Sequence, residues 1–109
     1  MKIFVEADIE LLREKIINTG ILGTPVYGTR LSDKGLFAVY QEWSLIRSSY
    51  EGTSVCIYEE ENSVYIHYVA QGPSSGLFEL GKRSEKHRNN RLFSALDNLN
   101  INYEIIENS

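Results

Sequence analysis

The sequence predicts an α+β fold: a single globular domain over residues 1–109, with a largely antiparallel sheet of four or five strands and about three helices packed on one face. Three observations predict it. A chain of 109 residues has the length of one domain that buries its own core. Strand-like and helix-like segments follow one another in the order β-α-α-β-β-β-α-β. Two adjacent strands are separated only by a short polar turn, as in an antiparallel hairpin.

The first segment predicts a strand followed by a helix. Apolar residues alternate with others in Met1–Glu6, which indicates a short strand. Asp8 is a good N-cap, because its carboxylate can accept hydrogen bonds from the free N–H groups that begin a helix. A helix over 9–18 follows and ends at Gly20, with four apolar residues at helical spacing: Ile9, Leu12, Ile16 and Ile17.

The middle of the chain predicts a loop and a second helix. Residues 20–35 hold four glycines and a proline, which favours a loop; the alternative is a short strand around Val26–Leu31. Leu36–Tyr50 is much longer than a usual strand of about five or six residues, so we expect a helix there. Its apolar stripe places Trp43 in the core, together with Leu36, Val39, Tyr40, Ile46 and Tyr50.

The second half predicts a hairpin, a further strand, a helix and a last strand. Thr53–Glu60 and Val64–Gln71 are rich in Val, Ile and Tyr, which indicates strands. Pairing them about an Asn62-Ser63 turn puts Ile57 opposite Tyr68 on the face that looks toward the core. The remaining expected elements are a strand over Leu77–Leu80, a helix from Ser84 to about Leu99 and a strand over Asn102–Glu107.

No group of residues points to catalysis, a metal or a cofactor. Cys56 lies in mid-strand rather than in the exposed, electropositive setting that a reactive thiol needs. His67 is expected opposite Tyr58 on a sheet face, and His87 lies among cations that disfavour its charged form. Gly76–Lys82 has the spacing of a phosphate-binding loop, but its apolar residues favour a strand. We therefore expect a protein that is not an enzyme and holds no metal or cofactor.

Composition excludes several other classes. With 42% apolar residues and seven tyrosines, the chain is too hydrophobic for intrinsic disorder. Its unbroken apolar runs, such as Val55–Tyr58, are far too short to span a membrane. One cysteine cannot form an internal disulfide framework. The sequence shows no charged-then-apolar leader, so we expect a cytoplasmic protein that does not interact with membranes.

Charge and tyrosine content suggest where a partner binds. Residues 82–91 carry five cations and one anion, whereas the rest of the chain carries six cations and fourteen anions. Tyrosine offers a large contact area at low entropic cost, which suits protein interfaces. The candidate partner-binding residues are Glu59, Glu60 and Glu61 at the hairpin tip, with Tyr65 and Tyr27. The candidate anion-binding residues, at the expected start of a helix, are Lys82, Arg83, Lys86 and Arg88.

These features favour a non-catalytic, protein-binding inhibitor. A small, acidic, tyrosine-rich domain is similar in character to immunity proteins and antitoxins, although no motif identifies a family. Nuclease-type toxins are basic because they hold phosphates, so an acidic partner can be steered to them and occlude their active sites. One alternative is a nucleic-acid-binding module that uses 82–91. The net negative charge of the rest of the chain disfavours this alternative, because it repels phosphates. The other is a structural or assembly subunit.

Overall fold

A computed structural model describes residues 1–44, 49–71 and 91–107. In this part of the chain, six strands accompany two α-helices, the second of which is described over 91–98. A short 3-10 turn, Ile17–Thr19, follows the first helix. The elements are β1 (Lys2–Val5), α1 (Ile9–Lys15), β2 (Thr24–Ser32), β3 (Gly35–Ser44), β4 (Ser49–Glu60), β5 (Ser63–Gln71), α2 (91–98) and β6 (Tyr103–Glu107).

The six strands form one antiparallel sheet in the order β2-β3-β4-β5-β1-β6. Four of them, β2 to β5, are a meander in which each strand pairs with the next along the chain. β1 then lies between β5 and β6, so that the beginning of the chain is inside the sheet rather than at its edge. The edge strands are therefore β2 and β6.

One face of the sheet, which we call the inner face, carries the core. Alternate residues of the central strands point to it, and the row Ile57, Ile66 and Ile3 crosses three strands with each side chain at most 1% exposed. Both helices pack on this face, because their apolar residues belong to the same buried cluster. The members of that cluster in the helices are Ile9, Leu12, Leu92, Ala95 and Leu96, and Ile16 joins them directly after α1.

The structure confirms the predicted start of the first helix, but the α-helix ends at Lys15 instead of residue 18, and the 3-10 turn continues to Thr19. The Asp8 carboxylate accepts a hydrogen bond from the Leu11 N–H at 2.8 Å, as an N-cap does. Gly20 adopts a left-handed conformation with φ 75° and ends the 3-10 turn. The Tyr40 hydroxyl of β3 donates to the Ile17 carbonyl at 2.7 Å, which fastens this turn to the sheet. Burial raises the pKa of Tyr40 to about 12, so that its hydroxyl remains a donor.

The helix predicted over Leu36–Tyr50 is wrong, and with it the predicted fold class. The segment contains β3 and the start of β4, and the described residues form six strands and two α-helices instead of four or five strands and three helices. Residues predicted to share one face of a helix lie on opposite faces of the sheet. Leu36 and Tyr40 are buried on the inner face, whereas Trp43 is 49% exposed on the other. Pairing with strands on both sides overrides the local spacing. Trp43 is therefore not a core residue.

Two other predictions need correction. Residues 20–35 do not form a loop throughout: β2 extends beyond the alternative strand that the sequence suggested around Val26–Leu31. In the β4–β5 hairpin the turn residues are Glu61 and Asn62, so Ile57 lies opposite Ile66 rather than opposite Tyr68. This is a shift of two residues, which keeps every side chain on its predicted face.

The last part of the chain agrees with the sequence where it is described. α2 lies within the helix expected from Ser84 to Leu99, and β6 corresponds to the strand expected over Asn102–Glu107. The expected strand Leu77–Leu80 and the expected helix start lie outside the described residues. Neither α1 nor the described part of α2 has the length and hydropathy needed to cross a membrane.

Candidate functional site

The face of the sheet opposite the helices, which we call the outer face, is the candidate site. The strand register brings to it side chains that alternate with the buried ones, among them Phe4, Phe37 and Tyr58. Because α1 and α2 both pack on the inner face, neither of them covers these residues. Val69 and Trp43 on the outer face are 46% and 49% exposed. Aromatic residues are thus half-exposed on an open sheet.

Four rings on the outer face form a continuous series, which we call the aromatic row: Phe4, Tyr65, Tyr58 and His67. The ring centroids of Phe4 and Tyr65 are 5.9 Å apart, and those of Tyr65 and Tyr58 are 5.6 Å apart. His67 stacks on Tyr58 at 5.5 Å, and its Nε2 lies 3.0 Å from the Tyr58 hydroxyl. Contacts between neighbouring rings hold them in place, so the row is a preorganised surface.

Charged residues border the aromatic row. The Lys2 ammonium lies 4.7 Å from the centroid of the Tyr65 ring, in a cation–π contact. Glu104 pairs with Phe4 across β6 and β1, and Glu60 follows Tyr58 by two residues, so both carboxylates share the outer face with the rings. Among the described strand residues that the register places on this face, acids therefore outnumber lysine and arginine.

The acidic hairpin tip consists of Glu59, Glu60 and Glu61 and adjoins the aromatic row. Glu60 and Glu61 are exposed, whereas Glu59 pairs with the buried Val64 and so belongs to the inner face; its carboxylate lies 4.0 Å from the Lys34 ammonium. Glu61 and Asn62 both have positive φ, 53° and 66°, as the two central residues of a type I′ turn do. Asparagine suits this left-handed conformation and glutamate does not. Glu61 therefore has a backbone conformation that glutamate disfavours.

We expect Glu61→Gly to raise the free energy of unfolding by about 0.5–1 kcal/mol, because glycine adopts positive φ without steric cost. Glu60→Gly is the matched control. It removes the same side chain from a strand position and should lower stability by about the same amount. Urea denaturation of the two variants measures both effects. A loss of stability in Glu61→Gly would show that the carboxylate stabilises the turn.

The remaining predicted partner-binding residue, Tyr27, lies apart from the aromatic row. Its ring is 56% exposed on the edge strand and contacts Phe37 at a centroid distance of 6.3 Å. Cys56 lies between Phe37 and His67 in the register, so the two aromatic groups share the outer face without ring contact between them. Burial raises the pKa of the Cys56 thiol, which disfavours the reactive thiolate.

The predicted anion-binding residues Lys82, Arg83, Lys86 and Arg88 lie outside the described residues. Arg91, the last cation of the same basic segment, is described at the start of 91–98. Its guanidinium donates to the carboxylate of Glu42 on β3, beside the buried Glu51 of β4. At least this cation of the segment thus contacts an acid of its own chain.

Sequence reasoning found part of this site. It singled out Tyr65 and the acidic tip, but it missed Phe4, Lys2 and Glu104. The signal for two of them was present: residues 2 and 4 alternate with the buried Ile3 and Val5, and so belong to the opposite face of β1. The third depends on the pairing of β6 with β1, which the sequence does not show.

Neither a candidate metal site among the described residues nor a similar known protein indicates a function for this chain. Within residues 1–44, 49–71 and 91–107, no three His, Cys, Asp or Glu side chains are grouped so that they could hold a metal ion. The Nε2 atom of His67 lies beside the Tyr58 hydroxyl. No protein-family model matches the chain, and no curated protein or solved structure is significantly similar to it.

Proposed function

We propose that this protein is a non-catalytic inhibitor that binds a basic protein through its outer face. The observation that carries the proposal is the continuity of the aromatic row with Glu60 of the acidic tip on the outer face of the sheet. Rigid aromatic residues are frequent anchors of protein interfaces, and charges beside them steer the approach of a partner with the opposite charge.

The chemistry of the row favours cationic side chains of the partner. Lys2 already lies over the Tyr65 ring, which shows that this ring can accept a cation. Tyr58 is only half-buried on the outer face. An arginine or lysine of the partner could lie against its exposed part, with Glu60 on the same face of β4 to pair with it.

A protein partner is favoured over nucleic acid. Exposed rings on a sheet can stack with unpaired bases, but such platforms combine them with cations that contact the phosphates. Here Glu60 and Glu104 border the row, and carboxylates repel a phosphate backbone. The same carboxylates complement the basic groove of an enzyme that binds nucleic acid.

The most concrete form of the proposal is an immunity protein or antitoxin that acts in the cytoplasm and neutralises a nuclease-type toxin. Such a toxin is basic at its active site because it holds phosphates. The acidic tip would increase the rate of association, and the aromatic row would hold the complex and cover the active site. A flat sheet face can bury an area of the size that stable complexes need, about 800 Å² on each partner.

Capture and kinetics test the proposal together. Tagged protein is used to isolate its partner from native cell extract, and association is then measured at low and high salt. We expect one stoichiometric basic protein whose nuclease activity is inhibited. A Glu60→Lys, Glu61→Lys variant should associate roughly tenfold more slowly at low salt, with a smaller difference at high salt.

The control reverses two exposed acids on the helices of the opposite layer, Glu14→Lys with Asp97→Lys. It changes the net charge equally and should leave the association rate nearly unchanged. Equal slowing in both variants would overturn the role of the tip. Recovery of nucleic acid would favour the nucleic-acid-binding alternative, and recovery of only further copies of this chain would favour an assembly subunit.

A further inference from the structure

A groove beside the edge strand β2 lies apart from the aromatic row. It lies between the 3-10 turn and strands β2 and β3, and has two lobes of about 300 Å³ and 310 Å³ that share Ile17, Asn18 and Gly28. Volumes of this size are at the lower end of those of small-molecule sites. β2 is exposed along nearly its whole length, so the groove is open to solvent.

Gly28 keeps this groove open, and neither conformation nor packing accounts for a glycine there. Its φ lies outside the left-handed region, so its backbone conformation is one that other residues adopt. A Cβ atom at this position would meet nothing closer than the Phe37 carbonyl oxygen at 4.0 Å. Glycine within a strand lowers stability, and it often marks a place where a ligand approaches the backbone. The space above Gly28 therefore lets ligand atoms approach the backbone.

The two lobes differ in charge. One is lined by Arg13 and Arg30, and the other has only uncharged lining residues, such as Ala38 and Tyr40. Both guanidinium groups donate to the carboxylate of Glu10, and they hold the pKa of that carboxyl below its ordinary value. The lobe lined by Arg13 and Arg30 therefore has a net positive charge, because Glu10 neutralises only one of the two guanidinium groups. Each guanidinium also has more N–H groups than its bond to Glu10 uses.

We propose that the groove binds a small organic anion with an apolar tail. Its carboxylate would accept hydrogen bonds from Arg13 and Arg30, and its tail would lie over Gly28 and Ala38. Charge complementarity selects the anionic head, and the uncharged second lobe selects the apolar tail. Tyr27 lines one lobe, but no residue of the aromatic row or of the acidic tip lines the groove, so this site is separate from the surface on which the proposed function rests.

Octanoate is the probe, with 1-octanol and octylamine as matched compounds that lack the negative charge. Titration followed by amide NMR should show saturable binding of octanoate, with a Kd below about 5 mM, and shifts at Asn18, Gly28 and Arg30. The two other compounds should bind at least tenfold more weakly, because they cannot accept charged hydrogen bonds from the arginines. No saturation up to about 20 mM octanoate would overturn the proposal.

Three variants separate the site from the stability of the fold. Gly28→Val fills the groove and should abolish binding while the Tm stays equal or rises, because valine suits a strand. Arg30→Gln should lower the affinity roughly tenfold. Glu10→Gln removes the competing carboxylate and should raise the affinity roughly two- to fivefold. Octanoate binding that is unchanged in Gly28→Val, or weakened in Glu10→Gln, would overturn the assignment of the groove.

Discussion

Replacing Ile66 with alanine is expected to lower the free energy of unfolding by about 3–5 kcal/mol. Ile66 is fully buried on the inner face and lies between Ile57 and Ile3 in the register. Because these neighbours belong to hydrogen-bonded strands on both sides, they cannot move to fill the space that the lost atoms leave. The cavity therefore adds its cost to the loss of buried apolar surface.

Val69→Ala is the matched control for Ile66→Ala. Val69 lies on the same strand but on the outer face, where it is 46% exposed, so its truncation should cost less than about 1 kcal/mol. Urea denaturation followed by circular dichroism measures both variants. If Val69→Ala were as costly as Ile66→Ala, the outer face would be covered in the folded protein, and the proposed binding surface would not be available.

Truncation of two rings in the aromatic row is expected to weaken binding to the basic partner by roughly a hundredfold or more. In a Tyr58→Ala, Tyr65→Ala variant the centre of the row is lost, along with the ring that Lys2 contacts. Both side chains are half-buried on the outer face, so the core on the other side stays intact. Affinity measured by isothermal titration calorimetry gives the effect.

A second variant assigns that loss to the rings rather than to the hydroxyl groups. Tyr65→Phe keeps the ring in contact with both Phe4 and Tyr58 and should bind the partner with nearly wild-type affinity. Thermal denaturation of both variants checks that they are folded. If the double alanine variant is folded and binds normally, the outer face is not the interface. A large loss in Tyr65→Phe would mean that the hydroxyl, not the ring, makes the main contact.

Local signals in the sequence predicted local structure well. Asp8 and Gly20 marked the two ends of a helical segment. Asp8 accepts a hydrogen bond from a free N–H group at the start, and Gly20 adopts the left-handed conformation that ends the 3-10 turn. The faces of the β4–β5 hairpin were predicted correctly even though its turn was not, because a shift of two residues in the pairing leaves each side chain on the same face of the sheet. Such features depend on neighbours in the sequence.

Features that depend on distant pairing were not predictable in this way. Leu36, Val39, Tyr40 and Trp43 match a helical repeat, and only the strands on both sides of β3 make them alternate between two faces. The candidate site shows the same division. Tyr65 and the acidic tip stood out as residue types, whereas the contribution of Phe4 depends on β1 lying beside β5.

The position of β1 also has a consequence for how the molecule folds. The hairpins of the β2–β5 meander bring together residues close in the chain, so each closes a short loop at a small entropic cost. β1 instead pairs with residues at least 59 positions away, and the hydrogen bond from the Met1 ammonium to the Tyr68 carbonyl spans 67 residues. Non-local pairing of this kind slows folding. The topology therefore favours early formation of the meander, with β1 among the last strands to pair.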